Sequence, residues 1–232
     1  MRFQRVTLQT CAGVAGVAVV IDVIRAFTTA AYAFAAGARE ILPVSTIEQA
    51  FALRAELPDA LLMGEIGGRP VEGFDLGNSP SALDGRNLSG RVIVQRTTAG
   101  TQGIVCSAPR ADHVLACSLA CASATARTVR RLAPKLVTFV LTGFRAESDV
   151  NDGDEDAACA DYVEALLRGA VPDAAAAARR VCGAHVARQF GDPAKPWYPV
   201  ADLDYCAAVD RFDFAMPVIQ EGDRLVMRTK ET

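Results

Sequence analysis

Lysine is scarce in this chain of 232 residues, where Lys135, Lys195 and Lys230 are its only examples. Histidine occurs twice and tryptophan once, and the formal net charge is -3. A nucleic-acid-binding surface needs a basic excess, so this balance argues against a nucleic-acid partner. No apolar run is long enough to span a bilayer: the stretch from Ala12 to Ile21 stops at Asp22 and Arg25 and has no well-placed cleavage site, so neither a membrane helix nor a signal peptide is expected. The seven cysteines are odd in number and contain no Cys-x-x-Cys pair, which predicts reduced, mostly buried thiols in a cytoplasmic protein without zinc. Gly-x-Ser-x-Gly, His-Glu-x-x-His and the Gly-Lys-Ser/Thr element of a P-loop are all missing, which weakens the enzyme classes built on them. His113 and His185 are expected in core or surface positions.

What is present is an apolar chain, 51% hydrophobic and 22% charged, long enough for a sizeable core and read as one domain over residues 1–232. "GVAVVID" (16–22) is the run of a strand covered on both faces, and "AFTTAAYAFAA" (26–36) has helix composition ending at Gly37. "EILPV" (40–44) and "ALLMGE" (60–65) read as strands around a helix over 46–57, for which Ser45 and Glu48 supply a capping box. Strand and helix go on alternating to about residue 144; the chain then turns helical and ends in two strands around Glu221-Gly222-Asp223. The pattern predicts an α/β fold, a mostly parallel or mixed sheet between helical layers. If its strands run parallel, their polar carboxyl ends project from one edge.

Four polar segments follow strands. Asp22, Arg25, Thr28 and Thr29 surround a helix start, where free N–H groups favour an anion, although Asp22 and the threonines serve equally well as caps. Gly64-Glu65 leads into "GGRPVEGFDLGNSP" (67–80), whose glycines permit close backbone approach to a ligand and which carries Arg69, Asp75, Asn78 and Ser79. "RTTAGTQG" (96–103) offers Thr97, Thr98, Gly100 and Thr101 as a second anion cradle. "RAESDVNDGDED" (145–156) ends in Glu155 and Asp156; it approaches a calcium loop, but Ala160 stands where the closing glutamate belongs. Carboxylates gathered in one cleft repel one another unless a cation neutralises them, and an all-oxygen set points to magnesium or a similar hard ion. First-turn acids that merely complement a helix dipole are the plainer reading of Glu155 and Asp156.

Together "VVIDVIRAFTT" (19–29), Gly64-Glu65 with Arg69, "GFDLGNSP" (73–80), "TTAGT" (97–101) and "EDAACAD" (155–161) resemble the 2-phosphosulfolactate phosphatase family. The resemblance runs from about residue 15 to 168. It implies an α/β fold of the family's own type and a magnesium-dependent phosphatase acting on 2-phospho-3-sulfolactate, on the route to coenzyme M. The motif positions make Asp22, Arg25, Glu65 and Arg69 candidate catalytic residues, and Asp22, Asp75, Glu155 and Asp156 candidate magnesium ligands. Thr28, Thr29, Asn78, Ser79, Thr97, Thr98, Gly100 and Thr101 are candidates for binding the small anionic phosphorylated metabolite. Two positions depart from the family: its threonine motif usually reads Thr-Thr-Asn-Gly-Thr where Ala99 stands, and Cys121 replaces a common asparagine. A related 2-hydroxy acid phosphate as substrate, a non-catalytic anion-binding protein, and another magnesium enzyme on an anionic metabolite are the alternatives. The apolar helical tail leaves room for a homodimer surface.

Overall fold

The computed structural model describes residues 1–143 and 153–231, so most of the acidic segment 145–156 lies outside the described residues. The chain begins with strand β1 (Arg2–Thr7), followed by β2 (Val17–Ile21), helix α1 (Ala26–Ala35), β3 (Glu40–Val44), α2 (Ile47–Glu56) and β4 (Leu61–Ile66). A two-residue strand β5 (Arg69–Pro70) folds back on β4, and β6 (Val92–Arg96), α3 (Gly100–Ser107), β7 (His113–Cys117), α4 (Ala122–Leu132) and β8 (Leu136–Leu141) continue the alternation. Three helices follow, α5 (Asp154–Leu167), α6 (Ala174–Gly183) and α7 (Ala201–Ala207), and then β9 (Phe214–Glu221), β10 (Arg224–Met227) and β11 (Lys230–Glu231).

The main sheet runs β1-β8-β2-β7-β9-β10-β3-β6-β4-β5. β1, β8, β2 and β7 are mutually parallel, as are β3, β6 and β4. Side chains alternate between two cores as the two-residue strand period requires. Ala18, Val20, Ile41, Met63, Ile93, Val140 and Met216 face a core shared with Phe27 and Phe34 of α1 and Ile104 of α3. On the other face, Val19, Ile21 and Phe139 pack against α4, α5 and α6, and Leu42, Leu62 and Val94 against Ala50 of α2. Helices thus cover both faces of a mixed sheet, the α/β arrangement expected. Among the described residues no helix is long and apolar enough to cross a membrane.

The expected common edge needs correction. β9 is antiparallel to β7, β10 to β9, and β3 to β10, so three reversals leave the β3-β6-β4 block pointing opposite to the β2-β7 block. In a flat sheet Asp22 and Glu65 would sit at opposite edges. Sheets twist by roughly 20–25° per strand, so the five steps from β2 to β6 turn the strand direction by on the order of 100–125°. That rotation swings the carboxyl ends of the two blocks back toward each other. A Cβ placed on Gly100, which follows β6, would lie 2.8 Å from Oδ2 of Asp22, which follows β2.

Two local expectations also change. The capping box of α2 uses Thr46 and Gln49: the Thr46 hydroxyl accepts the Gln49 N–H at 3.1 Å, and Gln49 Oε1 accepts the Thr46 N–H at 3.2 Å. Cys11 and Cys106 are joined in a disulfide, with Cα atoms 6.0 Å apart, while Cys117, Cys121, Cys159, Cys182 and Cys206 are free. Cysteines 95 positions apart carry no spacing signature, which is why the bridge escapes sequence reading.

Candidate functional site

A cavity of about 400 Å³ opens where the two blocks converge. Asp22 and Arg25 line it from the β2–α1 turn, Glu65, Gly67 and Gly68 from the end of β4, Asn78 from the polar segment, and Thr98 and Ala99 from the β6–α3 turn. Thr142, Gly143, Gly153 and Glu155 close it from the β8 side, and His185, Val186, Gln189 and Tyr198 from the C-terminal third.

Asp22 is buried at the foot of α1, where its Oδ1 accepts the Ala26 N–H at 2.9 Å and so caps the helix as well as facing the cavity. Burial pushes its carboxyl up to about 6, with the nearby Glu65 carboxylate adding to the shift and the Ala26 and Gly100 amides and the Thr142 hydroxyl pulling back. Glu65 is bound on both oxygens: Oε1 accepts the Thr98 N–H at 2.6 Å, and Oε2 accepts the Gly68 N–H at 2.5 Å and the Thr98 hydroxyl at 2.9 Å. The Gly67 N–H donates in turn to Thr98 Oγ1 at 2.7 Å. Gly68 has φ +81°, and a Cβ there would strike the Tyr198 hydroxyl, so only glycine lets this wall close. Asp156 is almost wholly buried; its oxygens accept the Val23 N–H at 2.9 Å and the Gly143 N–H at 2.8 Å, tying the start of α5 to the ends of β2 and β8. Burial, with Glu155 and Asp22 beside it, holds its carboxyl well above the usual range.

Arg25 is the guanidinium of the described lining. It is only 4% exposed, lies over the Tyr198 ring at 4.6 Å and the Phe190 ring at 5.2 Å, and donates from Nη1 to the Trp197 carbonyl and to Asp202, each at 2.8 Å. Asn78 is 8% exposed, and its Oδ1 is buried without a hydrogen-bond partner. An unsatisfied buried acceptor is costly unless a ligand or water completes it.

Other candidates lie off the cavity. Asp75 Oδ2 accepts the Leu62 N–H at 2.7 Å and pairs with Arg54, at the opposite end of β4 from Glu65. Arg69 stacks over Trp197 at 5.2 Å, outside the lining. Thr28 and Thr29 spend their hydroxyls on the carbonyls of Val23 and Arg25 inside the first turn of α1. Thr97 and Thr101 bond each other: the Thr97 N–H reaches Thr101 Oγ1 at 2.9 Å and the Thr101 N–H reaches Thr97 Oγ1 at 3.1 Å. The expected second anion cradle is therefore a self-satisfied turn, of whose threonines Thr98 alone lines the cavity, with Gly100 packed against Asp22. Ser79 donates to Asp202 at 2.8 Å. Of the acids expected to gather, Asp22, Glu65 and Glu155 share the lining, while Asp156 stands behind it. Tyr198 and Gln189 of the lining, and Asp202 behind it, were not among the expected site residues, and the run from Pro193 to Pro199 that holds Tyr198 reads only as a loop; His185, expected in a core or surface position, also lines the cavity.

The cavity is rich in carboxylates and its guanidinium is already paired, so an anion entering it meets net negative charge unless a cation comes with it. Among the described residues no three His, Cys, Asp or Glu side chains are grouped closely enough to form a protein-only metal cage. Asp22 and Glu155 with open cavity space fit a different arrangement, in which magnesium takes one or two carboxylates and completes its shell with water and phosphate oxygens.

Comparison with known proteins points one way. The model of a family described as 2-phosphosulpholactate phosphatase matches residues 4–222. A Bacillus subtilis protein named probable 2-phosphosulfolactate phosphatase is 38% identical over 210 residues, 90% of either chain. Proteins of the same name from Deinococcus radiodurans and Thermus thermophilus are 40% identical over 159 residues (68% of this chain, 66% of the relative) and 33% identical over 228 residues (91% and 92%).

Proposed function

Since the chain belongs to the 2-phosphosulfolactate phosphatase family, we propose that it hydrolyses the phosphate monoester of 2-phospho-3-sulfolactate, or of a closely related 2-hydroxy acid phosphate, with magnesium as cofactor. The products are 3-sulfolactate and inorganic phosphate, which would put the reaction on the route to coenzyme M. One observation carries the reading: Asp22, a carboxylate raised to about 6, shares a cavity with Glu65, Glu155, a buried guanidinium and an amide oxygen in want of a partner. A non-catalytic anion site has no use for three carboxylates beside its anion.

Magnesium held through Asp22 and Glu155 would neutralise charge on the phosphoryl oxygens. This chain's own residues do the rest. Arg25, held against the Tyr198 and Phe190 rings, attracts an anionic group of the substrate, and Asn78 presents its amide to a donor or bound water. Glu65 leaves no oxygen free of hydrogen bonds, so it orients the Thr98 and Gly68 backbone and helps raise Asp22. Asp22 has one of two roles, as magnesium ligand or, where the metal rests on Glu155 and phosphate oxygens, as the group that accepts a proton at Oδ2 from the attacking water while the water oxygen bonds to phosphorus and the ester P–O bond breaks, the leaving oxygen taking up a proton from solvent. The cavity volume falls in the range usual for small-molecule sites, about 300–1,000 Å³.

The test is phosphate release from a panel of 2-hydroxy acid phosphates with added magnesium and with EDTA. Turnover of phosphosulfolactate or a close relative, abolished by EDTA and restored by magnesium, is expected. Phosphate release indifferent to EDTA removes the metal from the reading, and no release from any member removes the substrate class.

A further inference from the structure

Asp202, in α7, is fully buried, and its two oxygens do different work. Oδ2 accepts Arg25 Nη1 at 2.8 Å. Oδ1 accepts the Ser79 hydroxyl at 2.8 Å, the Ser81 hydroxyl at 2.5 Å and the Ser81 N–H at 3.0 Å. One carboxylate therefore joins the guanidinium that faces the cavity to the segment directly after Asn78. Among the described residues Arg25 makes only one other side-chain hydrogen bond, from the same Nη1 to the Trp197 carbonyl. Both ends of that nitrogen's bonding are thus set by residues 197 and 202, and the rest of the guanidinium keeps its hydrogen-bonding capacity.

We infer that Asp202 is a positioning residue that fixes Arg25 and the Asn78–Ser81 segment as one substrate-binding wall. The inference rests on the reading that this wall receives the anionic substrate. Two of its consequences oppose each other. Asp202 lowers the net positive charge an anion meets at Arg25, yet it also prevents the guanidinium from turning to any other acceptor. In a buried site the geometric effect prevails, because a misdirected donor loses a charge-assisted hydrogen bond outright. Asparagine at this position separates the two halves: its single oxygen is retained by three donors on the serine side, and its NH₂ then faces Arg25 donor to donor.

The experiment is a double-mutant cycle on the full chain. KM and kcat for the best-hydrolysed phosphate ester, and the Kd of inorganic phosphate by calorimetry, are measured for wild type, Asp202→Asn, Arg25→Met and the double variant, with thermal unfolding on each. Asp202→Asn is expected to raise KM and Kd roughly ten- to a hundredfold with kcat changed less than about threefold, the mark of lost uniform binding. Added to Arg25→Met, it should change Kd less than about twofold, since the residue it acts through is gone. Wild-type or tighter binding in Asp202→Asn, or full additivity in the cycle, overturns the inference. If Asp202→Asn does not fold, Ser79→Ala with Ser81→Ala takes its place and should raise the same constants about threefold or more; unchanged constants overturn it. A wild-type chain that binds phosphate through Asp202 and Arg25 but releases none from any ester would sink the functional reading and leave this inference standing.

Discussion

Glu65 and Thr98, 33 positions apart, are joined twice, once through the Thr98 N–H at 2.6 Å and once through its hydroxyl at 2.9 Å. The pair locks the loop after β4 to the turn after β6, and the Gly67 N–H extends the lock by donating to Thr98 Oγ1. The same carboxylate helps hold Asp22 high. A single side chain thus shapes the cavity wall and tunes the acid beside it.

Glu65→Gln should show both effects. Glutamine keeps one acceptor oxygen and turns an NH₂ toward the remaining donors, so a charge-assisted bond is lost at a buried position. We expect a drop of about 1.5–3 kcal/mol in stability and a fall in kcat/KM of about tenfold or more. Chemical denaturation and steady-state kinetics measure the two. Wild-type values for both would contradict the assigned role.

The raised carboxyls make stability depend on pH with a definite sign. Between the ordinary carboxylate range and about 6, the native state holds a proton at Asp22 that the unfolded state has released. Stability therefore falls as pH rises through this window, and Asp156, shifted the same way, adds to the slope. Denaturation in EDTA should find the protein more stable at pH 5 than at pH 7 from these groups, and Asp22→Asn should flatten the difference while gaining stability at pH 7. An unchanged slope in Asp22→Asn would exclude Asp22 as its source.

Gly68→Ala meets two penalties, a φ of +81° and collision with the Tyr198 hydroxyl. Strain of this kind costs about 1–3 kcal/mol, and displaced Tyr198 no longer backs Arg25. The variant should melt lower and show a raised KM. A melting curve and KM equal to wild type would show the wall to be more yielding than this geometry implies.

Asp75→Ala should separate structure from chemistry. Its carboxylate holds the Leu62 N–H and Arg54, away from the cavity, so the loss should be about 1–3 kcal/mol of stability. Magnesium dependence and KM should stay as in wild type. A changed magnesium requirement would restore Asp75 to the candidate ligands.

The strands and helices were legible because their signals are local. Val17–Ile21 is β-branched almost throughout and buried on both faces, and Gly37 closes α1 at φ +101°. β1 was missed because "RFQRVT", on an edge strand, places Phe3 and Val6 three apart and lacks the two-residue alternation of a strand. The convergence of Asp22, Glu65, Thr98 and Glu155 followed from their place at strand ends, although the route differs: twist across reversed strands, in place of a shared edge. Hydroxyl roles were not legible, since nothing local tells whether Thr97 and Thr101 will bond a ligand or each other. Asp202 was the furthest from view, its partners lying 123 and 177 positions away.

The strands contributed by residues 214–227 stand in the middle of the sheet, between blocks formed much earlier in the chain. During synthesis the nascent polypeptide must therefore carry two half-sheets, each with an unprotected flank, until this wedge arrives. A lesion that prevents the wedge from inserting would part the two sides of the cavity while sparing every side chain that lines it.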